Sequence, residues 1–362
     1  VNEILASVGW NPSWQAHVAV ESALRGAHLS LARVTNVHKS HVDVVQVSAD
    51  GDPRVRHRLK IDGSFISAYG EDFPPAVGDW IMLDDVVRLH ALIPRRTLLT
   101  RPSPGRDSRE QVIAANVDIA LVIEPFVPTF SLGRVERLAA LATNAGADPW
   151  IVGTKIDMSD EAEITRIRSA LEKKFSHVHM VCALDEETLT VLSREIPQGA
   201  TMCVLGRSGA GKTTLINLLT GASGAVGQVR AVDAKGRHTT THREIFATDR
   251  FLIIDNPGVR AVGAVADAGS VNAVFPSIAQ MQCRFANCTH TNEPGCAVKA
   301  ALEDGTLEPH EVERFLRMRA EAVRNSVRKN ARVARAEDRL KTRHNQAGRR
   351  AMMRNKGRTG TS

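Results

Sequence analysis

The densest chemical signal in the chain is an eight-residue run. Gly206-Arg207-Ser208-Gly209-Ala210-Gly211-Lys212-Thr213 fits G-x-x-x-x-G-K-[ST] and sits between an apolar stretch (Met202 to Leu205) and a helical one that continues through Thr214 to Leu219. Glycines at this spacing let backbone N–H groups turn inward around phosphate oxygens. Lys212 neutralises the terminal phosphates, and the Thr213 hydroxyl is placed for Mg²⁺. Downstream, Phe251 to Ile254 is an apolar strand ending in Asp255, where a carboxylate associated with Mg²⁺ is expected. It continues as Asp255-Asn256-Pro257-Gly258, a D-x-x-G in which the Gly258 amide can meet a γ-phosphate. Upstream, Gly153-Thr154-Lys155-Ile156-Asp157 follows the strand Trp150 to Val152. The Asp157 carboxylate can accept both the N1–H and the exocyclic amine of guanine, whereas adenine would set an unprotonated ring nitrogen against it. The spacing therefore selects guanine. Cys182-Ala183 ends the next strand, where a second base-contacting loop belongs.

A second constellation is Cys283-x₄-Cys288-x-His290-x₅-Cys296. Three thiolates and an imidazole suffice for a closed tetrahedral Zn²⁺ shell, and a shell with no open position indicates a structural metal. Such a metal would hold together a segment with too little apolar surface to fold alone. The other two cysteines, Cys182 and Cys203, stand alone at strand-like positions, which suits buried thiols better than a disulfide framework.

Positioning these groups requires several elements. Residues 29–99 read as short alternating segments separated by turn residues, a β-unit of about five strands that an OB-type barrel would close. Arg95 to Arg109, rich in Pro, Gly and Arg, reads as a linker. Across 111–261 strands and helices alternate as in a doubly wound α/β domain, with strands at Asp118 to Ile123, Pro149 to Gly153, Val178 to Cys182, Thr201 to Leu205 and Phe251 to Ile254. Helices are expected at Leu132 to Asn144, Glu161 to Lys174, Glu186 to Glu195 and Lys212 to Leu219. Between the last helix and strand, Gly221 to Arg243 is a long Gly/Ala/Ser/Thr stretch, suited to a switch segment whose Thr hydroxyl completes the Mg²⁺ shell. Residues 262–325 hold the Cys/His cluster and a charged helix with apolar positions at Val312, Phe315, Leu316 and Val323. Residues 1–28 form an extension of one or two short helices, and 326–362 a basic tail.

The composition, 43% hydrophobic and 24% charged over 362 residues, excludes a disordered chain, a collagen or a coiled coil. No apolar run approaches the ~20 residues of a membrane span. The amino-terminal stretch has neither a basic cluster leading into an apolar run nor a cleavage site, so a cytoplasmic protein is expected. The net charge of +7 is unevenly shared: from Glu311 onward there are 16 Lys/Arg against 5 Asp/Glu, leaving the preceding 310 residues mildly acidic. A basic end on an acidic body points to a polyanionic partner, most simply nucleic acid. With aromatics at 4%, phosphate contacts rather than base stacking would dominate. The tail reads as an arm ordered by rRNA phosphates, the alternative being a solvated end with no partner.

The order of motifs is diagnostic. The guanine-reading motif precedes the phosphate loop, whereas in Ras-like GTPases it follows, so the domain reads as circularly permuted. T-K-x-D, then G-x-x-x-x-G-K-[ST], Gly236-Arg-His-Thr-Thr-Thr-His242, Asp255-Asn-Pro-Gly-Val-Arg260 and the Cys/His cluster together resemble the ribosome small-subunit-dependent GTPase A (RsgA) family. Val77-Gly-Asp-Trp80 and Ala115-Asn-Val-Asp118 extend the resemblance over about residues 30 to 320. Thr154, Cys182 and Asn256 stand where Asn, Ser and Thr are commoner in the family. The resemblance implies an OB domain, a permuted P-loop GTPase domain and a helical zinc domain. It also implies GTP hydrolysis during late maturation of the small (30S) ribosomal subunit, stimulated by that subunit and its rRNA; a monomer with no membrane partner is expected.

The expected nucleotide contacts are Thr154, Lys155, Ile156, Asp157, Cys182, Ala183, Gly206, Arg207, Ser208, Gly209, Ala210, Gly211, Lys212, Thr213, Thr214, Asp255 and Gly258. Zn²⁺ falls to Cys283, Cys288, His290 and Cys296, and Mg²⁺ to Thr213 with one of Thr239, Thr240 or Thr241. Hydrolysis needs an oriented water, and Val259, which follows D-x-x-G, has no hydrogen-bonding group. The residues alone leave His238 and His242 open between water orientation, RNA contact and solvation; the resemblance implies His238. An rRNA-binding factor with a non-hydrolysing site is the rival reading, opposed by the intact Lys212 and Asp255. A P-loop kinase or ATPase conflicts with Asp157.

Overall fold

Strands with two different burial patterns meet in one sheet. The computed structural model describes residues 9–25, 29–47, 55–69, 74–102, 110–221, 244–255 and 267–327. These fall into two compact units, one running to Asp255 and including 272–280, the other made of 267–271 and 281–327.

In the first unit β1 (Ser30–Val37), β2 (His41–Val47), β3 (Val55–Lys60), β4 (Trp80–Leu83) and β5 (Leu89–Leu92) pair antiparallel in the order β3-β2-β1-β4-β5. Alternation sets the interior: Ala32 and Val34, Val42 and Val44, Ile81 and Leu83 point to one core with Phe65 and Tyr69. Strand β4 is buried on both faces, because Trp80 and Met82 pack against Trp10 and Trp14 at the amino end. Trp14 opens helix α1 (Gln15–Arg25).

This is the expected five-stranded OB arrangement, with an element that the periodicity did not announce. Helix α2 (Gly63–Tyr69) lies between β3 and β4, started by Asp62, whose Oδ1 accepts the N–H of Ser64 at 3.1 Å and of Phe65 at 3.0 Å. The expected linker also differs. Within it, β6 (Leu98–Pro102) pairs antiparallel with β7 (Glu110–Ala115), so Leu98 and Leu99 face Ala115 and Ala114. Apolar pairing at the start of the run outweighs its Pro/Arg-rich composition.

The second pattern is parallel. Strands β8 (Ile119–Pro125), β9 (Asp148–Thr154), β10 (Val178–Val181), β11 (Thr201–Leu205), β12 (Glu244–Ala247) and β13 (Leu252–Asp255) lie in the order β10-β9-β8-β11-β13-β12, all parallel except β12. Helices α3 (Leu132–Asn144), α4 (Glu161–Glu172), α5 (Glu186–Glu195) and α6 (Lys212–Leu219) provide the crossovers. The chain enters at β8, moves outward to β10, returns to β11 and then builds the other side. The loops after β8 and β11 therefore flank the point where strand order reverses, which is where ligands bind in open α/β sheets. A single pair, Asn36 with Glu244, joins β1 to β12 and makes the two sheets continuous.

Both motifs that extended the family resemblance lie at the junction of barrel and α/β sheet. Asp79 is fully buried and pairs with Arg95 at 2.7 Å, accepts the Ala76 N–H at 2.8 Å, and accepts the Tyr69 hydroxyl. Asn116 accepts the Arg96 N–H at 2.9 Å and donates to the Gly78 carbonyl at 3.0 Å. Asp118 accepts the Thr201 N–H at 2.9 Å. Arg33, 2% exposed, donates to the Thr201 hydroxyl at 2.9 Å, and burial pushes its pKa down to about 10 against the pull of Asp118 and Asp79. Gly78 sits at φ +95°, and a Cβ there would fall on the Ala115 carbonyl oxygen. Gly78→Ala is accordingly expected to cost about 2–4 kcal/mol, read as a lower urea midpoint; an unchanged midpoint would show that the junction is not so tightly closed.

The second unit contains α7 (Ala268–Val274, its last residues belonging to the first unit), α9 (Ala297–Glu303) and a longer helix, α10, over 309–327; α8 (Pro276–Ala279) belongs to the first unit. The buried stripe of α10 is Val312, Phe315, Met318 and Ala322. Val323 was expected among the apolar positions but is 53% exposed, because the i, i+3, i+4 progression from Phe315 and Met318 reaches Ala322 instead. Among the described residues no helix is long and apolar enough to cross a membrane.

Candidate nucleotide site and metal centre

The phosphate loop begins where β11 ends and closes at the start of α6. Gly206 approaches β8 so closely that a Cβ would stand 2.6 Å from the Ile123 carbonyl oxygen, and Gly211 caps α6 at φ +89°, a conformation that favours glycine. Inside the loop the Lys212 ammonium donates to the carbonyls of Gly206 at 3.0 Å and Arg207 at 2.6 Å. Burial pulls the Lys212 pKa below its ordinary value, and the Asp255 carboxylate pulls the other way. Asp255, half-buried at the end of β13, thus lies within electrostatic reach of the lysine, as the motif reading requires. Arg207, half-buried, donates to the Val127 carbonyl at 2.9 Å, Ala210 is buried, and Ser208, Gly209, Thr213 and Thr214 are exposed along the loop and first helical turn.

The T-K-x-D segment ends β9 two strands away. Thr154 is buried and its hydroxyl donates to the Ala210 carbonyl at 2.8 Å, directly joining the two loops. Lys155 adopts a left-handed conformation, φ +59°, which turns the chain into a short 3₁₀ segment, Ile156–Met158. Asp157 is exposed, and the Cys182 thiol stands 3.6 Å from its Oδ1. Cys182 Sγ also accepts the Leu184 N–H at 3.4 Å, so the Cys182-Ala183 turn is held beside Asp157. Leu184, 87% exposed, is the most exposed large apolar side chain among the described residues and was not anticipated as part of this edge. Gly258, His238 and Thr239 to Thr241 lie outside the described residues, as does the basic tail from 328 onward.

In the second unit, Cys283, Cys288, His290 and Cys296 offer donor atoms that all lie within 4.8 Å of one another. Cys283 Sγ is 3.5 Å from His290 Nδ1 and 3.9 Å from Cys296 Sγ, and Cys296 Sγ is 3.6 Å from His290 Nδ1. Tetrahedral bonds of about 2.3 Å to sulfur and about 2.0 Å to nitrogen place donors about 3.5–3.8 Å apart, so the donor set fits zinc. Cys296 also caps α9, whose first amides, Ala297 and Val298, hydrogen-bond Cys283. The loop between Cys288 and Cys296 is braced by Glu293, which accepts the N–H groups of Thr289 at 2.7 Å and of Thr291 and Asn292 at 3.1 Å each. Those bonds, the Thr289 hydroxyl first, hold the Glu293 pKa down at about 2. Cys182 and Cys203 are buried free thiols, Cys203 pushed up to about 12 by burial.

Comparison with known proteins agrees with this geometry. The RsgA GTPase family model matches residues 92–265. A small ribosomal subunit biogenesis GTPase RsgA from Xylella fastidiosa (strain M12) is 36% identical over 338 residues, covering 88% of this chain and 97% of the relative. The chain belongs to the RsgA GTPase family. Its RsgA relative from Streptomyces coelicolor is 37% identical over 346 residues, covering 92% of this chain and 90% of the relative. The fold is likewise that of solved structures: YjeQ from Thermotoga maritima superimposes with a TM-score of 0.61 at 23% identity, covering 82% of this chain and 99% of that one. YloQ, described as a circularly permuted GTPase, gives 0.59 at 22% identity, covering 82% and 96%. The strand order above is a circularly permuted GTPase arrangement of the same kind.

Proposed function

We propose that this chain is a Mg²⁺-dependent GTP hydrolase that assists maturation of the small ribosomal subunit in the cytoplasm, acting as a monomer. The observation that carries the reading is the Thr154–Ala210 hydrogen bond at 2.8 Å. It sets the guanine-selecting loop against the phosphate loop, within reach of one nucleotide. In this reading Lys212 and the loop amides bind the phosphates, and Thr213 and Asp255 hold Mg²⁺. Lys155, Ile156, Asp157, Cys182 and Ala183 surround the base. Mg²⁺ would screen charge on the β- and γ-phosphates. Zinc at the Cys₃His centre would fold the second unit.

Contact with rRNA is supported by the outer face of the barrel. Along β3 the side chains of Arg56, Arg58 and Lys60 alternate outward and are exposed, opposite Val45, Asp43 and His41 of β2. A row of cations along β3, with Arg58 also paired to Asp43 of β2 at 2.8 Å, lies on the strand 2–3 face by which OB folds bind oligonucleotides and suits phosphate contact.

Measuring GTP and ATP hydrolysis with and without small subunits tests the assignment. GTP turnover that rises with subunits, and no comparable ATP turnover, is expected; equal use of ATP would overturn it. His238 is proposed to orient the attacking water once the subunit is bound. His238→Ala should bind GTP normally yet lose about 10²-fold in stimulated turnover, and unchanged stimulated turnover would remove the role.

A further inference from the structure

At the opposite end of β10 from the base-binding turn lies a second cluster that the nucleotide site does not use. We propose that His177, His179 and Glu195 form a metal site of their own, taking a zinc-class divalent transition cation. Strand β10 is the edge of the parallel sheet; His177 immediately precedes it and His179 lies two residues on, within it. Helix α5, packed against the strand, ends on Glu195 and returns that carboxylate to the imidazoles.

The His179 side chain is only 7% exposed, and its Nε2 is buried without a hydrogen-bond partner, 3.6 Å from Glu195 Oε2. A buried polar atom left unpaired calls for a partner. His177 Nδ1 stands 3.8 Å from the same carboxylate oxygen. Tetrahedral bonds of about 2.0–2.1 Å to nitrogen and oxygen place donors about 3.3 Å apart, and all three donor atoms here already lie within 4.8 Å of one another.

The surroundings have the form of an outer shell. Trp150 stacks on His177 at 4.1 Å and on His179 at 5.5 Å, fixing both rings. The other nitrogen of His177 faces Asp148 Oδ2 at 4.0 Å, and that oxygen accepts the Trp150 indole N–H at 2.9 Å. A carboxylate behind a ligating imidazole orients it and raises its basicity. Burial lowers the His179 pKa, which keeps the ring in its neutral, ligating form. The charge of Arg168 near His179 opposes a cation, and the carboxylates of Glu195 and Asp148 offset it. Two imidazoles and one carboxylate suit zinc, nickel or cobalt rather than Mg²⁺, and the exposure of His177 and Glu195 leaves room for water as a fourth ligand.

The site contains no thiolate, which separates it from the Cys₃His centre. Full-length protein purified with zinc filling the cysteine centre is titrated with Co²⁺. One equivalent should bind, with weak d–d absorption and no thiolate-to-cobalt charge-transfer band. His177→Ala and Glu195→Gln, changes at half-exposed side chains, should each abolish that equivalent, and Asp148→Asn should weaken it by about ten- to a hundredfold. Failure of the wild-type protein to bind cobalt, binding that persists in His177→Ala, or cobalt appearing only with the thiolate band, each overturns the proposal. GTP hydrolysis is not the readout, so the result stands apart from the nucleotide assignment.

Discussion

On the proposed reading of the base site, Asp157→Asn is expected to cut GTP affinity by about 10²–10⁴-fold, because the carboxamide keeps only an uncharged acceptor for N1–H and sets its own N–H against the exocyclic amine; one charge-assisted hydrogen bond worth roughly 1.5–3 kcal/mol is lost, the other is weakened and a donor is left unpaired. The same variant should gain affinity for xanthosine triphosphate. Xanthine carries a carbonyl where guanine carries the exocyclic amine, so the Asn carboxamide can donate to that oxygen while accepting the N1–H. A carboxylate facing the same carbonyl is repelled. The exchange predicts a crossover rather than a general loss, which distinguishes a base-reading residue from one that merely stabilises its loop. Asp157 is exposed, so the substitution should leave the fold intact. Equal weakening toward both nucleotides, measured by calorimetry, would deny the residue its role.

Removal of zinc should have the next largest effect, confined to the second unit. Binding of a structural zinc is worth about 10–16 kcal/mol in small metal-folded peptides, comparable with the whole stability of a typical domain, about 5–15 kcal/mol. The core of this unit is small: Val271, Val298, Ala301, Leu307, Val312, Phe315, Met318 and Ala322 are its principal buried apolar residues beside Cys288 and Cys296 of the proposed metal centre. Chelation should therefore expose 281–327 to trypsin while the first unit keeps its nucleotide affinity. A proteolysis pattern unaffected by chelator would show that the segment folds without metal.

Much of this was legible in the sequence because the relevant signals are local. The phosphate loop lies between two apolar elements of opposite period, so β11 and α6 emerge where expected. Leu132–Asn144 and Lys212–Leu219 form helices with the bounds their spacing gives. Other features were not legible, and three show why. Helix α2 begins on a glycine and contains Phe65, Ile66 and Tyr69, residues of no strong helical preference; only the Asp62 cap marks it. Strand β6 ends in Arg101-Pro102 and owes its conformation to pairing with a segment about ten residues later. The Glu293 brace is invisible to metal-ligand spacing because it binds amides rather than metal, although a carboxylate three residues after a ligating histidine is a usable sign. Within the site, Thr154 shows why composition alone misleads: a hydroxyl where an amide is commoner still reaches the Ala210 carbonyl.

The Arg33–Thr201 hydrogen bond spans 168 positions of sequence. During synthesis at about 5–20 residues per second, the hydroxyl that accepts from Arg33 is made roughly 10–30 s after the strand that bears the arginine. Through that interval the Thr201 contact of Arg33 cannot form. The junction between barrel and α/β sheet, where Thr201 also donates its N–H to Asp118, is therefore completed only once β11 has been translated.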